Sequence, residues 1–143
     1  MRPLGVTLVG IYQILRGIIG VIFGLSILLF TGMVTKLAGV AAEGNALGGF
    51  LHGLGRATGL GIIVFAVIHI LAGYGVLQTQ NWGRLLTLLF SAIGLVLLLP
   101  GVVHVHLFSL FFGAINAASI FYLAAPPIKR LFHAEGNVVR AAA

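Results

Sequence analysis

Four long apolar stretches, interrupted only by isolated polar residues, dominate the chain. They run from about Pro3 to Phe30, Gly55 to Leu77, Trp82 to Leu99 and His106 to Ala124. At 1.5 Å per residue the first would make a helix of ~40 Å, more than a hydrocarbon layer of ~30 Å, so it can tilt or protrude. Transmembrane barrel strands would need segments of ~10 residues that alternate apolar and polar positions. The continuous runs predict helices. Gln78-Thr79-Gln80-Asn81 reads as a polar turn, Pro100-Gly101 as the end of the third span, and Pro126-Pro127 as the end of the fourth.

Residues 31–54 form the only long loop on this reading. Val34, Leu37, Ala38 and Ala41 repeat there at helical spacing, which predicts a short amphipathic interfacial helix. Gly44 to Gly53 is glycine-rich and predicted to be irregular. After Pro127, the apolar residues Ile128, Leu131 and Phe132 flank Lys129 and Arg130, which predicts a short amphipathic segment on the inner leaflet. Residues 134–143 read as a flexible tail. The expected fold is an all-α integral membrane protein. Residues 1–133 form a single four-transmembrane-helix bundle, with a short amphipathic helix in the first, outer loop.

Composition agrees. Of 143 residues, 60% are hydrophobic and 7% charged, far below the ~25% charged of a soluble domain. The net charge is +6, but the basic residues are scattered and offer no nucleic-acid footprint. Four spans put both termini and the Gln78–Asn81 turn on one side, with Arg2, Arg84, Lys129, Arg130 and Arg140. Lys36 and Arg56 lie on the other. This asymmetry predicts cytoplasmic termini. Arg2, Trp82, Arg84, Lys129 and Arg130 are the expected membrane anchors, with Tyr74 and Tyr122 in the same aromatic belt. The first apolar run far exceeds a secretory h-region of about 7–15 residues, so it reads as a retained span.

Within the spans, small and polar residues fall on stripes with steps of three and four. The first span places Gly10, Gln13, Gly17, Gly20 and Gly24 in line. The second places Gly55, Gly59, Ile62, Ala66, His69 and Gly73. Thr87, Ser91 and Gly94 follow on the third, and Ser109, Gly113, Asn116 and Ile120 on the fourth. In lipid, such stripes let helix backbones approach closely and pack as left-handed bundles. Gln13, His69, Ser91 and Asn116 lie on the seams. Their presence admits two readings: interhelical hydrogen bonds, or a small intramembrane binding site.

Arg16 sits near the middle of the first span, beside the Gly17 seam. It either snorkels toward the inner interface or faces the bundle and holds an anionic group. The chain has no Asp, and its carboxylates, Glu43 and Glu135, lie outside the spans. A candidate ligand-binding set is therefore Arg16, Gln13, His69 and Asn116, facing a lipid phosphate or fatty-acid carboxylate. Proton-coupled carriage through Asp or Glu has no residues to use. His52, His104 and His106 lie near the outer edge and form a weaker candidate metal set, with Glu43 as an added oxygen. Haem ligation would need a second deep histidine opposite His69. No cysteine, phosphate loop or nucleophile–base pair is present, so no catalytic residue and no cofactor is expected.

Arg2-Pro3-Leu4-Gly5-Val6-Thr7, Ala72-Gly73-Tyr74-Gly75-Val76-Leu77 and Asn81-Trp82-Gly83-Arg84 resemble small bacterial four-span membrane proteins of an uncharacterised class. The resemblance covers roughly residues 2–132. It implies an inner-membrane location with both termini inside, and it brings no catalytic residues. The leading expectation is a non-enzymatic structural or accessory subunit. It would associate with itself or a larger membrane complex through small-residue helix faces, Gly5, Gly32, Gly61 and Gly75 being surplus to one bundle. The second is a binder or transporter of a lipid or small amphiphilic anion. Membrane lipids are partners in either case.

Overall fold

A computed structural model describes residues 3–37, 46–103 and 107–132. It contains α1 (Leu4–Leu37), α2 (Ala46–Leu77), α3 (Asn81–Val103) and α4 (Leu107–Ala124). A short α5 follows at residues 126–132. No strand occurs among the described residues. All four long helices have the length and apolar composition to cross a membrane. Large apolar side chains such as Leu29, Leu97 and Phe121 are 70–80% exposed, as lipid-facing residues are. The protein is a multi-pass, all-α membrane protein.

The helices outrun the predicted spans. α1 continues seven residues past Phe30, and α2 begins at Ala46 rather than Gly55. Val34 and Leu37, expected in a separate loop helix, belong to the last turns of α1; Ala38 and Ala41 lie outside the described residues, as does the expected tail. The glycine-rich start of α2 is helical from Ala46. Glycine in a helix costs about 1 kcal/mol per residue in water. In an apolar phase, however, the helix is the only local way to satisfy the backbone. α3 passes through Pro100 to Val103 instead of stopping there. A proline removes one hydrogen bond and crowds the preceding turn. Only three residues follow Pro100 before the helix ends, so no long segment depends on the weakened turn.

Contacts divide the chain into two compact units: residues 1–14 with 71–143, and residues 15–70. In the first unit, parts of all four long helices pack in a ring. Gly10 of α1 meets Gly73 and Leu77 of α2, and Gly75 of α2 meets Gly83 and Trp82 of α3. Arg84 of α3 bonds to α4, and Tyr122 of α4 covers Gly5 of α1. This is a four-helix bundle. Its core is Val6, Val76, Leu123, Ile128 and Phe132.

Two members of that core come from α5. Ala125 precedes a proline and is pushed out of the helical region, which ends α4. Pro126 and Pro127 then suit the first turn of a new helix. Ile128 and Phe132, one turn apart, are 8% and 1% exposed. α5 thus turns its apolar face onto the bundle rather than onto lipid. Leu131, Lys129 and Arg130 remain exposed.

α2 ends in a reversed turn. Gln80 N–H donates to Gly75 O at 2.9 Å and Thr79 N–H to Val76 O at 3.0 Å, with Thr79 at φ 52°. Glycine is the usual residue there; a β-branched residue at this φ is strained.

The second unit is a helical hairpin of the rest of α1 and α2. Gly17 faces Ala66 and Ile70, Gly24 faces Gly59 and Ile63, and Gly55 faces Thr31. The two predicted stripes form this seam. At Gly17, an added Cβ would stand 2.7 Å from the Ala66 carbonyl oxygen, so only glycine permits the approach.

Candidate functional site

The four expected site residues separate. Arg16 and His69 belong to the second unit and line one cavity of about 370 Å³. Gln13 and Asn116 are fully buried in the first unit.

The cavity exists because one wall lacks a side chain. Gly61 of α2, where an added Cβ would meet nothing within 4 Å, opens a hollow that Gly20 of α1 and Ile62, Phe65 and Ala66 of α2 border. Gly61 and Phe65 are exposed, so the hollow is a groove in the hairpin surface. Arg16 lies ~18 Å along α1 from Leu4, and His69 ~12 Å along α2 from Leu77. Both depths fall inside a hydrocarbon layer of ~30 Å. Arg16 is half-buried and His69 is 3% exposed. His69 Nδ1–H donates to Phe65 O at 3.0 Å, and the two rings lie 4.9 Å apart. That bond fixes the tautomer, so in the neutral ring Nε2 is an acceptor. The groove therefore offers a guanidinium donor, an imidazole and an apolar floor.

Gln13, Thr87, Ser91 and Asn116 are each 0% exposed within the first unit. Gln13 lies ~14 Å from the start of α1 and Asn116 ~12 Å from the end of α4. Thr87 and Ser91 stand ~9 and ~15 Å into α3. They make a polar level in the bundle. Both amide atoms of Gln13 and the hydroxyls of Thr87 and Ser91 are buried with no protein hydrogen bond. Ser119, on the same buried face of α4 as Asn116, is absent from the predicted seam; its hydroxyl donates to Ile115 O at 2.8 Å.

Arg84 departs from its expected place among the headgroups. It is 6% exposed; its Nε–H donates to Leu123 O at 2.9 Å, and Nη1–H to Asn81 Oδ1 at 3.2 Å. The cation caps the last turn of α4, where unsatisfied carbonyls carry partial negative charge. Nothing in the local sequence marks an acceptor 39 residues away. Arg84→Met is expected to cost about 1.5–3 kcal/mol, the worth of hydrogen bonds to a charged group. Unfolding in mixed micelles with increasing dodecyl sulfate would measure it, and an unchanged midpoint would remove the capping role.

Trp82 and Tyr74 are half-exposed, and Lys129 and Arg130 are exposed, as anchors would be; Arg2 lies outside the described residues. Of the candidate metal set, His104 and His106 also lie outside them. His52 lines a cavity beside Arg56, a poor neighbour for a metal cation. Among the described residues no three potential ligands converge on a metal position. The chain matches no family model, no curated protein and no solved structure.

Proposed function

We propose that this protein binds a lipid or small amphiphilic anion in the α1–α2 groove, Arg16 holding the charged head and Ile62, Phe65 and Ala66 the apolar part. The observation that carries this is a guanidinium and an apolar floor on one hollow, at mid-span depth. A charge-assisted hydrogen bond in such a site contributes about 1.5–3 kcal/mol. Oleate titrated into the purified protein in neutral detergent is the test. Arg16→Leu is expected to weaken binding at least tenfold, about 1.4 kcal/mol. A helical circular-dichroism spectrum and a monodisperse elution profile identify the folded variant. Equal oleate binding by a folded Arg16→Leu protein would falsify the reading.

Association with further copies or a larger membrane complex takes second place. Two of the four surplus glycines are used inside the chain, Gly5 under Tyr122 and Gly75 against Gly83. Gly32 and Gly61 have open space around them and would serve such contacts. The proposed location is a bacterial inner membrane with cytoplasmic termini. Five basic residues on the terminal side against two on the other support it.

A further inference from the structure

The same hairpin carries two more cavities, of about 490 and 280 Å³, and they share Leu28 and Gly32. Lys36 lines the first, with Leu29 and Met33; His52 and Arg56 line the second, with Leu60. Gly32 is the notch between them, since an added Cβ there would meet nothing within 4 Å. His52 and Arg56 stand one helical turn apart, on one face of α2. His52 Nδ1 is enclosed and makes no hydrogen bond within the protein. No described residue of this unit is acidic.

We propose that Lys36, His52 and Arg56 form a second anion site, distinct from the Arg16 groove, that holds the phosphate of a phospholipid whose acyl chain lies along the Gly32 notch. Depth selects a lipid over a free ion. Leu60 lies ~26 Å along α2 from Leu77, inside the ~30 Å hydrocarbon layer. Arg56 and His52 lie at ~32 and ~38 Å, just past that layer and at the outer edge of the single headgroup layer of ~5–7 Å beyond it. Apolar floor and basic rim therefore follow the polarity of one lipid molecule.

The test is native mass spectrometry of the full chain, released from micelles containing dioleoyl-phosphatidylglycerol. The parent is expected to retain one lipid. The double variant Lys36→Ala/Arg56→Ala should lower the retained fraction at least tenfold. So should Gly32→Leu, which fills the notch while leaving every charge in place and adds a better helix former. All of these proteins carry Arg16→Leu as a common background, so that the α1–α2 groove retains no lipid and the two sites are read separately. Equal retention by the parent and Gly32→Leu would overturn the proposal. Displacement of the lipid by millimolar inorganic phosphate would assign the site to free phosphate and overturn its lipid part.

Discussion

Replacing Phe132 by Ala is expected to destabilise the protein by about 3–5 kcal/mol, the usual cost of emptying a buried phenylalanine site. Phe132 is 1% exposed and lies in the core with Ile128 of its own helix and with Val6, Val76 and Leu123. Those last three come from α1, α2 and α4, so one side chain on α5 ties three helix ends together. The prediction separates two placements of α5. A segment resting on lipid would lose only a membrane contact, and unfolding of the remaining bundle would not change. A docked segment lowers the unfolding midpoint of the whole first unit. Leu131→Ala, one residue away and 37% exposed, is the control and should cost under about 1 kcal/mol. Equal midpoints for Phe132→Ala and the parent would return α5 to the membrane surface.

Gly83→Ala is expected to destabilise by about 3 kcal/mol or more, at or above the top of the usual overpacking range. A Cβ at Gly83 would stand 2.5 Å from the Gly75 Cα and 2.6 Å from the Val76 nitrogen. Its nearest neighbours are backbone atoms, so no side chain can swing aside. By helix propensity alone the substitution would stabilise by about 1 kcal/mol. The sign of the result therefore reads the contact directly. Gly49→Ala, on the same helix as Gly75 but with nothing within 4 Å, should follow propensity and be neutral or slightly stabilising. If both substitutions behaved alike, α2 and α3 would not meet at this crossing.

The seam of α1 and α2 was legible because packing in lipid depends on small residues, and their period survives in the sequence. Gly10, Gln13, Gly17 and Gly24 are buried on one helix, and Gly59, Ala66, His69 and Gly73 on the other. Helix ends were less legible. Thr31, Thr35 and Lys36 read as an exit from the membrane, yet Thr35 is 7% exposed and its hydroxyl donates to Thr31 O inside α1. Polarity counts residues, whereas the helix persists wherever its backbone has no better partner.

Partner choice between helices was not legible at all. Periodicity says which face of α2 carries Gly75, not that Gly83 meets it, and the same gap hid the bond from Arg84 to Leu123 O. At the candidate site, the burial of Gln13, His69 and Asn116 could be anticipated from their place on the seams, whereas Arg16, beside the seam, was open between two readings and is half-buried. The hollow could not be anticipated, since Gly20 and Gly61 line it only when the register of α1 against α2 sets them beside Arg16 and His69.

The length of α1 has a consequence for the surrounding lipid. Thirty-four helical residues span ~51 Å, and apolar side chains are exposed from Leu4, 76%, to Met33, 61%. That exposed apolar stretch is ~45 Å long, and leaning by 40°, the upper end of what membrane helices adopt, projects it onto ~34 Å against a ~30 Å hydrocarbon layer. A steep lean therefore absorbs most of the difference, and the remainder costs fractions of a kcal/mol per Å. The lipid around α1 is least disturbed in a thicker bilayer, where the helix stands more upright.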